Sequence, residues 1–168
     1  VRQLPPAPDG VRYWALIPNR RGLERAIEAD VRHIATFMSA SETHNKKNVN
    51  RTRAESLAAL RDVVDVAKDE GLGIRSYIST VFGCPYEGHV PAEQTVALAH
   101  ELLACGADEI ALGDTTGMAD PAPVAQTFLV EESIKQFARL DGIVTLVDAK
   151  HIEQHLDEEK PEGAENEA

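Results

Sequence analysis

With 168 residues, 43% of them hydrophobic and 27% charged, the chain is long enough for one domain with a real core, short for two, and ordinary in composition for a soluble globular protein. A net charge of −11 argues against a nucleic-acid or anionic-membrane surface, and the longest apolar runs are too short to span a bilayer. Two cysteines, Cys84 and Cys105, are too few for a disulfide framework and point to a reducing, cytoplasmic setting.

The opening VRQLPPAPDG has neither a signal-peptide pattern nor an initiator methionine, which leads to the expectation that it begins inside a longer chain. Val11 to Ile17 reads as a strand stopped by Pro18, and Asn19 caps a short helix over Arg20 to Ala29. Val31 to Met38 is β-branched and apolar, a second strand, and the polar run Ser39 to Arg51 reads as a loop. Thr52 and Glu55 then form a T-x-x-E capping box. Leu57, Leu60, Val64 and Ala67 follow at helical spacing, and Gly71 ends that helix.

Ile74 to Phe82 reads as a third strand and Gly83 to Val90 as a turn-rich loop. Pro91 suits the first position of a helix running to Cys105, with Val96, Ala99, Leu102 and Leu103 turned inward. Glu109 to Leu112 is a fourth strand. A helix from Pro121 to about Ala138, a fifth strand at Ile143 to Val147 and a last helical turn at Lys150 to Leu156 complete the alternation. The tail from Asp157 to Ala168 holds six acids and one lysine with almost no apolar residues, so residues 157–168 are expected to be a disordered acidic end.

Strands alternating with helices imply βαβ units and a parallel sheet of about five strands. A closed eight-stranded barrel needs roughly 250 residues, so an α/β chain of this length is a partial barrel or an open sheet. In such architectures chemistry gathers at the carboxyl ends of the strands. That rule selects three segments: SASETHNKKNVNR, FGCPYEGHV and GDTTGMADP.

Each has an ordinary reading beside a chemical one. Glu42, His44, Lys46, Lys47 and Arg51 in the first segment suit a phosphate or carboxylate ligand, or simply a solvated loop. Cys84 in the second is a thiol at a strand end, or a small residue buried in a tight turn. Asp114 in the third suits acid–base work or cation binding, and equally a helix cap. His151 and His155 lie four apart, but the residue between them that a zinc-protease motif would use is not where that motif needs it.

Taken together and in order, SASETHNKKNVNRT, IRSYISTVFGCPYEGHVPAE and GADEIALGDTTGMADP resemble hydroxymethylglutaryl-CoA lyase over roughly Pro5 to Val124. The resemblance implies a partial TIM-type (β/α) barrel over residues 1–124. It also implies a divalent cation, magnesium or manganese, and cleavage of an acyl-CoA to acetyl-CoA and acetoacetate by a retro-aldol step. Asp114 matches the family's acid and Thr115 the neighbouring contact to the substrate carboxylate. Tyr77 and Ser79 match the strand that faces the barrel interior, and Glu42 and Asn48 match the segment flanking the acyl-CoA.

The family's first-strand Arg-Asp pair and its H-x-H metal pair have no counterpart here, so the resemblance predicts no turnover from this chain alone. Cys84 matches the family's earlier, non-catalytic G-C-P-Y and carries no catalytic expectation. From Thr115 to Glu159 the chain instead resembles CobW-type metal-chaperone GTPases, whose switch region reads T-T-G-x-A-D-P-x-P-V-A-Q-T-F. That resemblance implies a grafted strand–helix unit over residues 125–156, a junction within Thr115 to Val124, and, as alternatives, a GTP-dependent metal-chaperone fragment or a non-catalytic chimera. The GTPase phosphate loop and guanine motif are absent. Exposed sheet edges favour self-association.

Overall fold

The computed structural model describes residues 5–118, all within the first of two compact units, Val1–Phe137. The expected helix at Pro121, the strand at Ile143, the His151 and His155 pair and the acidic tail lie outside the described residues.

The alternation read from the sequence is present. In chain order the elements are β1 (Ala15–Leu16), α1 (Arg20–Glu28), β2 (His33–Ser39), α2 (Glu42–Val49), α3 (Arg53–Asp69), β3 (Gly73–Ser79), β4 (Gly83–Cys84), β5 (Gly88–His89), α4 (Ala92–Ala104) and β6 (Glu109–Gly113). Among the described residues four strands form one sheet in the order β1-β2-β3-β6, every pair parallel. The short β4 and β5 pair antiparallel as a separate hairpin inside the expected turn-rich loop.

In β2, β3 and β6 the even-numbered residues face the helices, and in β1 it is Ala15, the register partner of Ile34. Ile34 and Ile74 join Leu23, Ala26, Val63, Val64 and Ala67 in one core cluster, and Met38 and Ile78 join Leu60, Leu98 and Leu102 in another. Burial at roughly 1.5–3 kcal/mol per large aliphatic side chain is what holds the sheet to its helices. Thr36 and Ser76 lie on this buried face and satisfy each other through a 2.7 Å hydroxyl pair.

Local signals explain most boundaries. Asn19 caps α1 by accepting from the Gly22 amide at 3.0 Å. Thr52 and Glu55 form the expected reciprocal capping box at the start of α3. β3 stops at Ser79, three residues short of the expected end, because Thr80 adopts a left-handed conformation (φ 57°) that turns the chain away. At the start of β3, a Cβ on Gly73 would lie 2.7 Å from the His33 ring, so only glycine lets the two strands pair there.

Four further readings need correction. β1 is shorter than Val11 to Ile17, since Val11 to Tyr13 are exposed and only Ala15 and Leu16 pair with β2. The run from Ser39 to Arg51 contains a helix, α2. Ser41 caps it by accepting from the His44 amide, and Asn50 closes it in the left-handed region. The expected inward set of α4 holds in part: Leu102 is buried and Ala99 packs on the core, but Leu103 is exposed and Thr95 and Leu98 are buried instead, with Thr95 Oγ1 donating to the Val81 carbonyl at 3.3 Å. Pro91 is the cap residue preceding α4 rather than its first residue.

Candidate functional site at the strand ends

The odd-numbered residues of β2, β3 and β6 lie on the other face of the sheet, and the parallel register sorts them into rows. Ser39, Ser79 and Gly113 are aligned across β2, β3 and β6, with Phe37, Tyr77 and Ala111 next, and Ala35, Arg75 and Glu109 beyond them. The first row lies at the carboxyl ends of the strands, where parallel α/β sheets place their chemistry.

Ser39 and Ser79 are joined by a 2.8 Å hydroxyl contact, and Ser39 Oγ also lies 2.7 Å from His44 Nδ1. Asp114 follows the row directly and is exposed. Its Oδ1 accepts from the Met118 amide at 3.2 Å and from Thr116 Oγ1 at 3.4 Å, and Thr116 Oγ1 also donates to the Gly83 carbonyl at 3.0 Å. Asp114 therefore closes a turn over the end of the hairpin while keeping an exposed carboxylate. Thr115 beside it is exposed as well.

The site residues drawn from the family resemblance separate into two groups. Tyr77, Ser79, Asp114 and Thr115 share the ends of β3 and β6. Glu42 and Asn48 sit exposed on α2, and the Glu42 carboxylate accepts from the Arg53 amide at 3.1 Å. Glu42 thereby serves the N-terminus of α3, a favourable place for an anion.

α2 is anchored under the rim by a side chain that polarity alone did not mark. Asn45 is buried, accepts from the Ser39 amide at 3.0 Å, and donates to the Arg51 carbonyl at 2.9 Å and Ser56 Oγ at 2.7 Å. The hairpin reaches α2 from the other side, where Glu87 Oε1 accepts from the Thr43 amide at 2.6 Å. Burial raises the Glu87 pKa, but the hydrogen bonds from Thr43, Ser41 and Glu42 outweigh it and hold the carboxyl below its usual range. Lys47 Nζ lies 4.5 Å from the centre of the Tyr86 ring, a cation–π contact across the same rim.

Cys84 is fully buried, with Ser41 Oγ donating to its sulfur at 3.0 Å. A thiol so enclosed is a packing residue, as the ordinary reading had it. Lower on the same face, Arg75 donates through Nε and Nη2 to Glu109 Oε2 at 2.9 and 2.6 Å and stacks 4.3 Å over the Trp14 ring. Burial opposes the charged form of Arg75. Hydrogen bonds to Tyr77 and Glu109, with the Glu109 charge, outweigh it and raise the guanidinium pKa. Arg75, Tyr77 and Ser79 alternate with Ile74, Ser76 and Ile78 in IRSYIS, a period-two signal blurred by the polar Ser76 on the buried face.

A divalent cation needs several converging oxygen or nitrogen ligands. Among the described residues no three His, Cys, Asp or Glu side chains form such a set. By themselves the described residues do not fit a divalent cation. Among the same residues, no helix is long and apolar enough to cross a membrane.

The sequence matches the HMGL-like family over residues 7–140, so the lyase pattern runs beyond the expected junction at Thr115 to Val124. Hydroxymethylglutaryl-CoA lyase YngG of Bacillus subtilis is 52% identical over 115 residues, which are 68% of this chain and 38% of the relative. The crystal structure of a Bacillus subtilis HMG-CoA lyase superposes with a TM-score of 0.70 at 48% identity, covering 74% of this chain and 42% of that one. An HMG-CoA lyase from Acinetobacter baumannii, solved in complex with coenzyme A and 3-methylmalate, superposes with a TM-score of 0.66 at 35% identity over 71% of this chain and 39% of that one. The chain thus spans less than half the length of these relatives. With the family pattern covering most of its sequence and the parallel strand–helix sheet matching its solved members, the chain belongs to the HMGL-like family.

Proposed function

We propose that this chain carries part of an acyl-CoA carbon–carbon lyase site of the hydroxymethylglutaryl-CoA type and does not turn over substrate alone. The observation that carries the reading is the row Ser39–Ser79–Gly113, followed at once by Asp114 and Thr115, at the carboxyl end of a parallel sheet. In a retro-aldol cleavage a base takes the substrate's hydroxyl proton, and the carbon–carbon bond breaks. Its electron pair passes to the thioester enolate, which is then reprotonated. Asp114 is the exposed carboxylate placed to hold or pass a proton. Thr115 and Ser79 offer hydroxyls to ligand oxygens, and Tyr77 lines the row beneath. Glu42 and Asn48 would meet the ligand only along the outer edge of α2.

The missing Arg-Asp and H-x-H elements, and the lack of a cation-binding set among the described residues, support inactivity of the isolated chain. Its two free thiols, Cys84 and Cys105, support a cytoplasmic setting. The test is acetoacetate release from hydroxymethylglutaryl-CoA by purified protein with magnesium or manganese. No release above background is expected, while coenzyme A with 3-methylmalate binds measurably by calorimetry. Release that disappears in Asp114→Ala would overturn the inactivity, and absence of binding would remove the acyl-CoA reading.

The second resemblance, to CobW-type GTPases, rests on the sequence from Thr115 to Glu159. A metal-chaperone fragment or a non-catalytic chimera remains the alternative proposal, against which stands the lyase family match that continues to residue 140, and equilibrium dialysis against labelled GTP decides the first of these. Micromolar binding would favour it against the absence of a phosphate loop.

A further inference from the structure

Three side chains at the rim form a continuous hydrogen-bonded chain: Ser79 Oγ to Ser39 Oγ at 2.8 Å, and Ser39 Oγ to His44 Nδ1 at 2.7 Å. Both separations are those of well-formed hydrogen bonds. Ser39 is 1% exposed, so no water competes for its hydroxyl, and its amide is already committed to Asn45 Oδ1 at 3.0 Å. Each hydroxyl has one proton to give, and a neutral imidazole has one donor and one acceptor nitrogen. The two contacts are therefore coupled, and if the buried Ser39 proton is to be used the chain runs in one of two directions.

With Nδ1 bare, Ser39 donates to His44 and Ser79 donates to Ser39. The Ser79 oxygen then presents lone pairs to a ligand. With a proton on Nδ1, His44 donates to Ser39 and Ser39 donates to Ser79. The Ser79 proton is then released, and its protein alternative is the Met38 carbonyl at a long 3.4 Å. A ligand carbonyl or carboxylate oxygen outcompetes so weak an acceptor.

We propose that His44 is a positioning residue for Ser79. Acting through Ser39, it sets whether the carboxyl end of β3 offers a ligand oxygen a hydrogen-bond acceptor or a donor. This rests on the acyl-CoA reading for the identity of the ligand, though not for the existence of the relay. The site is suited to an oxyanion, because only an acceptor ligand gains from reversing the chain. His44 reaches the row because α2, held by Asn45, lies across the end of β2.

The test is long-range nitrogen NMR of the histidine rings in the whole chain, which reports the tautomer of His44. In the free protein a single tautomer with Nδ1 unprotonated is expected. Ser39→Ala removes the proton that Nδ1 accepts and should convert it to a mixture, whereas Ser79→Ala leaves Nδ1 as the one acceptor for the Ser39 proton and should keep the single form. A His44 tautomer that turns mixed in Ser79→Ala, or stays single in Ser39→Ala, in a variant whose amide spectrum remains that of the folded chain, overturns the relay. Coenzyme A with 3-methylmalate is then added to the unmodified chain. A proton moving onto Nδ1 supports the positioning role. Binding with no change at His44 overturns that role, whereas failure to bind at all, with the Ser39→Ala response intact, removes the acyl-CoA reading and the role it gives His44.

Discussion

Ser79 and Gly113 are register partners on β3 and β6, so Asp114 leaves the sheet one residue beyond the row that holds the serine hydroxyl. The carboxylate earns its position by closing a turn, accepting from the Met118 amide at 3.2 Å. Asp114→Ala should therefore cost about 1 kcal/mol, the usual net worth of one such hydrogen bond, and should speed hydrogen exchange at the Met118 amide. Unchanged protection of that amide would mean that Thr116, through its bond to the Gly83 carbonyl, holds the turn without Asp114.

The capping box at Thr52 and Glu55 gives a second prediction. Thr52→Ala removes both the acceptor for the Glu55 amide and the hydroxyl donated to Glu55 Oε2. A loss of about 1 kcal/mol is expected in urea unfolding. Thr52→Ser, which keeps the oxygen, should recover most of it.

Thr36 and Ser76 are both buried and are each other's partner at 2.7 Å. Thr36→Val alone leaves a buried serine hydroxyl unpaired and should cost about 1–3 kcal/mol. Adding Ser76→Ala removes the orphan. The double variant should then be less destabilised than the sum of the two single changes, and equal additivity in denaturant melts would show that the pair is not coupled.

Asp108 ties the end of α3 to the start of β3. It pairs with Lys68 and accepts from the Ile74 amide at 2.8 Å. Burial raises its pKa, but these contacts together lower it below the ordinary 3.8. A carboxyl whose folded pKa is depressed contributes stability that is fully present above the unfolded value and lost as pH falls through the folded one. The stability gap between the unmodified chain and Asp108→Asn should hold from neutral pH down to about 4 and close below that. Both side chains are more than a third exposed, so salt will narrow the gap. A gap that widens on acidification would contradict the assignment.

Among the described residues β1 and β6 are the outer strands of the sheet. We propose that these edges, unpaired among the described residues, support self-association. Light scattering should show an average mass that rises with concentration, and a monomer mass throughout the micromolar range would refute it.

How legible the molecule was in its sequence depended on the kind of signal. Caps and stops could be read because they are local: Asn19, the Thr52–Glu55 box and Gly71 act within a few residues of their own position. α2 was missed because it has almost no apolar periodicity; it is held by Ser41 at its cap and by Asn45, whose three partners lie on β2, beyond α2 and on α3. The buried stripe of α4 was read only in part, Leu102 and Ala99 packing inward and Leu103 not, because Ala, Leu and Val populate more than one side of it. Packing against Val81 and the second core cluster chose the side with Thr95 and Leu98.

The same division applies to the site. The strand-end rule picked out Asp114 and Thr115, and the family resemblance added Tyr77 and Ser79, which lie on β3 beside the strand that Asp114 follows. The grouping of Ser39 with Ser79 and His44 could not be read, because it depends on the register between strands that are forty residues apart and on where α2 crosses them. By itself the sequence determined the alternation of strands and helices, the positions of the caps and the family to which the chain belongs, all of which follow from short-range chemistry and residue order. Tertiary structure decided which polar side chains meet, because hydrogen bonds between distant residues form only after hydrophobic burial has fixed the strand register and the rotation of each helix.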